Sequence, residues 1–540
     1  MKLSYQGIQD KSAFAAAGIA LPAFDWKAMC AATEEKPVWV HFGAGNIFRG
    51  FIAALQQRLL ESGDETSGII AAETFDYEII SKIYEPCDSM TLLVALKPDG
   101  STDKQVIASI AKGVRACSAE AEQWEQLKAV FENPSLQMAS FTITEKGYAL
   151  RGMNGELMSV AAADIAEGPE HARHAMSVVA AMMYYRFCAC AAPMALVSMD
   201  NCSHNGAKLR ASVLEIVHGW QQNGFVPEAF TAYMEDEARV SFPWSMIDKI
   251  TPRPAEVIEQ QLTELGMEQM TPVITSRSTY IAPFVNAEIP QYLVVEDRFP
   301  NGRPALEKAG VYLTTREVVN MTERMKVTTC LNPLHTALAV YGCVLGYQSI
   351  AAEMSDPELK QLVERIGYVE GLPVVTDPGI ISPKAFIDEV VEQRLPNPFI
   401  PDTPQRIATD TSQKVGIRFG ETIKSYMAHD DLDVNSLTAI PLALAGWLRY
   451  LLAVDDEGQP FAVSADPMLP QLQQAMSGIV LGQPQSIGGK LQPFLAYASI
   501  FGVSLFEAGL AKKVQDLFAE LIAGPGAVRA TLKKHLFMEE

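Results

Sequence analysis

The sequence predicts an α/β chain that turns mostly α-helical in its second half. Three observations carry this. Between about residue 37 and residue 300, short apolar runs alternate with helical periodicity, the pattern of a parallel sheet covered by helices. The first apolar run feeds a glycine turn, Gly43-Ala44-Gly45. An extended passage rich in Pro and Gly near 270–315 then gives way to helical patterns alone. The chain is therefore expected to divide into residues 1–305, including an N-terminal extension, and residues 306–540.

The elements follow in order. Residues 38–42 (VWVHF) read as a strand and 51–60 (FIAALQQRLL) as a helix. Residues 68–73 are a second strand and 77–84 a short helix. Further strands are expected at 137–144 and 193–200, with an apolar helix near 174–190 between them. The second half predicts helices at 316–328, 333–348, 357–366, 383–394, 436–453, 491–509 and 511–523.

Bulk composition narrows the function. A chain of 540 residues, 48% hydrophobic and 20% charged, is an ordinary globular balance. A net charge of −21 argues against nucleic-acid binding, which needs clustered cations. Eight scattered cysteines without a CxxC pair suit neither zinc nor a disulfide framework and point to a reducing compartment. The start MKLSYQGIQDKSAF lacks the apolar centre of a signal peptide, and no run is long enough to span a bilayer. The expectation is a cytoplasmic protein without membrane or nucleic-acid partners, a monomer or small homo-oligomer.

The glycine turn carries the first functional signal. Gly43, Ala44, Gly45, Asn46, Ile47, Phe48 and Arg49 join the first strand to a helix. In a Rossmann-type dinucleotide-binding domain such glycines let backbone approach a pyrophosphate, and the helix N-terminus faces the anion. Phe48 stands where the third glycine is usual. Glu73, ending the second strand, can hold the adenosine ribose hydroxyls, and its charge would repel a 2′-phosphate. That favours NAD over NADP. Asp76 is the rival for this role. A plain tight turn in an α/β domain is the simpler alternative.

Two polar bursts lie past later strands, where ligands bind in open α/β sheets. Thr144, Glu145 and Lys146 form one, which suits a cofactor wall or equally a solvated loop. Asp200 and Asn201 lie in the other. Asn201 can donate to an oxygen gaining charge, while a helix cap explains the same residues.

The densest cluster is residues 323–335. Asn332-Pro333 predicts a helix start, with Asn332 as the cap and Pro333 at the first helical position, because the residue before proline avoids the α region. Glu323 and Lys326 fall on one face of the preceding helix, at i and i+3. Oxidising a secondary alcohol needs a base, and a lysine serves if burial lowers its pKa. Asn332 and His335 can hold the substrate oxygen, and Glu323 can relay the proton. A capped helix with a surface ion pair accounts for the same residues. A metal reading on Glu170, His171 and His174 is the least favoured, because this short run does not make a plausible ligand set.

Together these segments resemble the polyol-specific long-chain dehydrogenase family, of mannitol dehydrogenase and fructuronate reductase type, over roughly residues 37–450. The resemblance rests on residues 43–49, 144–148, 200–206, 241–252, 296–304 and the Lys/Asn/His cluster. It implies a metal-independent enzyme with Lys326 as general base, Asn201 and Asn332 at the oxyanion, His335 on the substrate oxygen and Glu323 as relay. Asp248, Arg406 and Lys414 would bind substrate. One departure stands out. The family pattern has four residues between lysine and asparagine, and this chain has five. Within one helix that would rotate the lysine by about 100°. The proline places the extra residue at the helix junction instead.

The expected function is NAD-dependent interconversion of a secondary alcohol and a ketone on an open-chain sugar acid or polyol. Fructuronate and mannonate are the first expectation, mannitol and fructose the second. A nucleotide-binding sensor without catalysis is the alternative of another class.

Overall fold

The computed structural model describes residues 1–152 and 154–537. Two units are present. The first comprises Met1–Leu96 and Ser101–Asn320, the second Lys97–Gly100 and the chain from Met321 onward. The division falls at residues 320/321, later than the 305/306 expected. Residues 312–314 stay with the first unit because they form a strand there. Tyr312–Thr314 pairs in parallel with Tyr292–Glu296, which pairs antiparallel with Ser245–Asp248. A strand belongs with the ladder that satisfies its backbone.

The first unit is built on six strands. They are β1 (Trp39–Phe42), β2 (Ile69–Glu73), β3 (Ile110–Arg115), β4 (Met138–Phe141), β5 (Met194–Ser198) and β6 (Val240–Ser241). Their order in space is β3-β2-β1-β4-β5-β6, and every pairing is parallel. This is the dinucleotide-fold order, whose direction reverses between β1 and β4. Residues of β1, β2, β4 and β5 are buried throughout. Helices on both faces require that, which is why these segments read as apolar runs rather than alternating ones. In β1, Val40 and Phe42 feed one core layer and Trp39 the other.

Four helices of this unit matter for the site: α1 (Ala53–Ser62), α2 (Thr144–Tyr148), α3 (Ala175–Ala189) and α4 (Asn205–Gln222). A π-turn, Phe48–Ile52, leads into α1. In α3 the side chains of Met176, Val178, Val179, Met182 and Met183 are fully buried, each contributing roughly 1.5–3 kcal/mol. The strand expected over 137–144 ends at Phe141, and Thr144 begins α2. The cause lies outside the segment. The carboxylate of Asp200 accepts the Ile143 and Thr144 N–H groups, both at 2.9 Å. It thereby ends the ladder.

A separate sheet of this unit was not anticipated. Thr91–Leu96 and Thr102–Ile107 pair antiparallel, flanked by Phe284–Glu288 and Ile19–Ala20. Thr102–Ile107 (TDKQVI) is mostly polar, and Phe284 pairs with the distant Leu92. Local periodicity carries neither fact.

The second unit is helical. Helix α5 (Arg316–Met325) carries the chain across the division. It is followed by α6 (Asn332–Leu345), α7 (Glu421–Ala428), α8 (Ala439–Leu451), α9 (Ala511–Leu521) and α10 (Ala527–Phe537). Helix α8 starts three residues later than the expected 436. The Glu370 carboxylate accepts the N–H groups of Thr438, Ala439 and Ile440, at 2.7, 2.6 and 2.8 Å, and so caps the helix there. The single helix expected over 491–509 is instead two short turns, Gln492–Leu495 and Ala498–Phe501. Gly502, at φ +77°, ends the second. No helix among the described residues is long and apolar enough to cross a membrane.

Candidate active site

In the first unit the turn after β1 has the geometry its glycines predict. Gly43 sits at φ +101°, and its N–H reaches the Ala72 carbonyl at 2.9 Å. A Cβ there would lie 2.3 Å from the Thr142 carbonyl oxygen, so only glycine fits. A Cβ on Gly45 would meet nothing within 4 Å. The backbone at Gly45 is therefore open to close approach, as a pyrophosphate needs. The side chains of Ala44, Phe48 and Arg49 are interior, and Phe48 stacks on His41 at 4.1 Å. Arg49 is 1% exposed. It donates to Thr91 Oγ1 and the Ala282 carbonyl, each at 2.8 Å, and to Asn46 Oδ1 at 2.9 Å. What Arg49 does for the turn is to hold Asn46. Ile47 is half-buried.

The two acids after β2 differ. Glu73 spends both oxygens on the chain itself. It accepts the Ala44 N–H at 2.8 Å, the Phe75 N–H at 2.8 Å and the Asp76 N–H at 3.2 Å. Burial pushes its carboxyl up, and those N–H groups pull against that. Asp76 Oδ2 accepts the Thr275 hydroxyl at 2.6 Å, while its Oδ1 is buried without a hydrogen-bond partner. Of the two, Asp76 is the one with an oxygen that has no partner, and that oxygen is buried.

At the ends of β4 and β5, Thr144, Glu145, Lys146 and Asn201 are exposed. Thr144 adopts φ +63°, costly for a β-branched residue, and the Asp200 carboxylate holds it there. Tyr148 Oη also donates to Asp200, at 2.6 Å. The helix-cap reading of this segment is corrected: His204 precedes α4, without a side-chain cap bond. Asn205 ties Asp200 and Ser245 together through its amide. Asp248 is buried at the end of its strand. Glu145 pairs with Lys208. His174 caps α3, accepting the Met176 N–H on Nδ1 at 3.2 Å.

In the second unit, α5 runs into a π-turn, Lys326–Cys330, closed by the Leu331 N–H on the Lys326 carbonyl at 3.1 Å. A π-turn holds one residue more than an α-turn. The segment between Lys326 and Asn332, expected as the junction of two helices, is thus largely a wider helical turn. Leu331, at φ −133°, breaks the direction, and α6 starts at Asn332 with Pro333 in its first turn. Asn332 is thus the first helical residue and not the cap. Lys326 is 3% exposed. Glu323 and Asn332 are half-buried.

His335 lies one turn into α6, its Nε2 3.5 Å from Asp402 Oδ2. Burial pushes its pKa down to about 4, the Asp402 charge opposes this, and Arg418, Arg406 and Arg394 add to it. The imidazole is neutral at physiological pH. Asp402 also pairs with Arg406. Lys414 donates to the Thr409 carbonyl, and burial with nearby Arg418 lowers its pKa. The second unit thus gathers His335, Arg406 and Lys414. Sequence reasoning missed Asp402, four residues before Arg406, and Arg418, four after Lys414. Their helical spacing from chosen residues was the available signal. Among the described residues, no three His, Cys, Asp or Glu side chains are grouped to hold a metal ion.

A Rossmann unit with an open glycine turn, followed by a helical unit carrying a buried lysine and a neutral histidine, defines a two-domain dehydrogenase. Residues 38–308 match the mannitol dehydrogenase Rossmann domain and residues 319–520 the mannitol dehydrogenase C-terminal domain. The chain belongs to the mannitol dehydrogenase family. It is 51% identical to a D-mannonate oxidoreductase of Thermotoga maritima, over 100% of both chains. It is 27% identical to the D-mannonate oxidoreductase of Escherichia coli, over 81% of this chain and 84% of that one. Mannitol 2-dehydrogenase of Pseudomonas fluorescens, solved with NAD and D-mannitol, is similar in structure, with a TM-score of 0.68 and 25% identity over 99% of each chain.

Proposed function

We propose that this chain interconverts D-mannonate and D-fructuronate with NAD. The observation that carries the reading is the 51% identity, end to end, with a D-mannonate oxidoreductase. The cations around His335 support it, since a sugar acid brings a carboxylate.

Backbone N–H groups of residues 43–46 would hold the pyrophosphate, and Asp76, backed by Glu73, the adenosine ribose. Thr144, Glu145 and Lys146 would line the cofactor wall. NAD, when bound, accepts the hydride. Lys326 takes the hydroxyl proton, and Glu323, three residues earlier on the same face, passes it outward. Asn332 and neutral His335 donate hydrogen bonds to the oxygen as it becomes a carbonyl. Arg406 and Lys414 fix the far end of the substrate. In the first unit, Asn201 and Asp248 are the proposed substrate contacts.

The test is NADH absorbance with a panel of hexonates and polyols. Oxidation of D-mannonate well above every polyol is expected. Activity on D-mannitol alone would move the chain to the polyol reading, which the likeness to mannitol 2-dehydrogenase favours. Binding of NADH with no turnover of either class would favour a sensor.

A further inference from the structure

We propose that Arg418 binds the carboxylate of the substrate and so lets the site distinguish a sugar acid from a neutral analogue. The inference rests on the sugar-acid reading above. Arg418 lies in a π-turn, Gly416–Gly420, that feeds α7. Among the described residues, its side chain makes one hydrogen bond, from Nη1 to the Thr336 hydroxyl. Most N–H donors of the guanidinium are therefore left over.

The acids that act on the neighbouring His335, Arg406 and Lys414 are engaged there. Asp402 pairs with Arg406 and faces His335. Asp466 accepts the Ser412 N–H at 2.8 Å and its hydroxyl at 2.6 Å. Asp410 acts, with Asp466, on Lys414. No carboxylate acts on Arg418, whose pKa burial alone pushes down to about 10. Arg529 shows the contrast, bridged to both Asp356 and Glu358. A partly dry cation without a counter-anion is costly, and a bound carboxylate relieves that cost through a two-pronged contact.

The position fits this role. Thr336 follows His335 directly. The Arg418 backbone N–H bonds the Lys414 carbonyl at 3.0 Å, so the two residues lie one turn apart, and the Arg418 charge acts on the Lys414 amine. A neutral polyol end would leave this guanidinium unmatched.

The test compares D-mannonate with its uncharged amide, following NADH, in the unaltered enzyme, Arg418→Lys and Arg418→Met. The unaltered enzyme is expected to prefer the acid. Both variants should lose about 10–100-fold in kcat/KM on the acid, mostly in KM, and keep their rate on the amide. Arg418→Lys should lose less. Acid and amide falling together, or the acid unaffected, would overturn the proposal. If neither variant folds, the unaltered enzyme decides alone, and equal KM for acid and amide overturns it. An unaltered enzyme that oxidises D-mannitol but neither mannonate form would sink the sugar-acid reading itself.

Discussion

The imidazole Nε2 of His335 lies 3.5 Å from the Asp402 carboxylate, yet burial and three arginines keep the ring neutral down to about pH 4. Its pKa is depressed on folding. The resulting stability is present above the unfolded value near 6.5 and is lost as pH falls through the native value near 4. At most, this amounts to about 3 kcal/mol. Urea unfolding between pH 7 and pH 4 should show stability falling, and His335→Gln should remove part of that slope. Because the ring stays uncharged at pH 6, its titration should leave no acid limb in kcat above pH 5.

Two glycines of one turn should respond oppositely to the same change. In Gly43→Ala the new methyl would press on the Thr142 carbonyl at a left-handed φ. Strain of this kind costs on the order of 1–3 kcal/mol or more, so Tm should drop. Gly45→Ala meets nothing in the chain and should melt like the parent. It should nevertheless raise KM for NAD, because the methyl occupies the approach a pyrophosphate needs. Equal effects of both substitutions on Tm would contradict this division of labour.

Particular residues show what the sequence could carry. Strands β1, β2, β4 and β5 were legible because burial on both faces writes an apolar run. The start of α6 was legible because proline, lacking an N–H, is accommodated in the first turn of a helix and not further in. Local pattern was blind where a distant side chain decides. Asp200 turns residues 143–144 out of the strand, and Glu370 moves the start of α8. Neither acid is near those segments in sequence. Arg49 shows a further limit. Its place in the glycine turn grouped it with the expected cofactor-binding residues, whereas its side chain is interior and holds Asn46.

Removing the Lys326 amine should separate chemistry from binding. Lys326→Met keeps an apolar stem of similar length at a site 3% exposed. Loss of a general base costs about 100–10,000-fold in kcat. NADH binding, followed by its fluorescence, should be unchanged. A variant retaining a tenth or more of kcat would exclude lysine as the base.

The two acids after β2 make the last comparison. Glu73→Gln turns an acceptor oxygen into a donor facing a backbone N–H, either that of Ala44 or those of Phe75 and Asp76. A buried mismatch of that kind costs about 1–3 kcal/mol, so the protein should melt earlier and hold NAD poorly through a distorted turn. Asp76→Asn can keep its oxygen on the Thr275 hydroxyl and should melt close to the parent. Its loss should fall on the ribose, raising KM for NAD with kcat little changed. Relief from a negative charge should also narrow the preference for NAD over NADP. Measuring both cofactors in both variants, alongside Tm, checks the assignment. If Asp76→Asn alters Tm but neither KM, the acid that touches the cofactor is not Asp76, and its bare oxygen serves the fold alone.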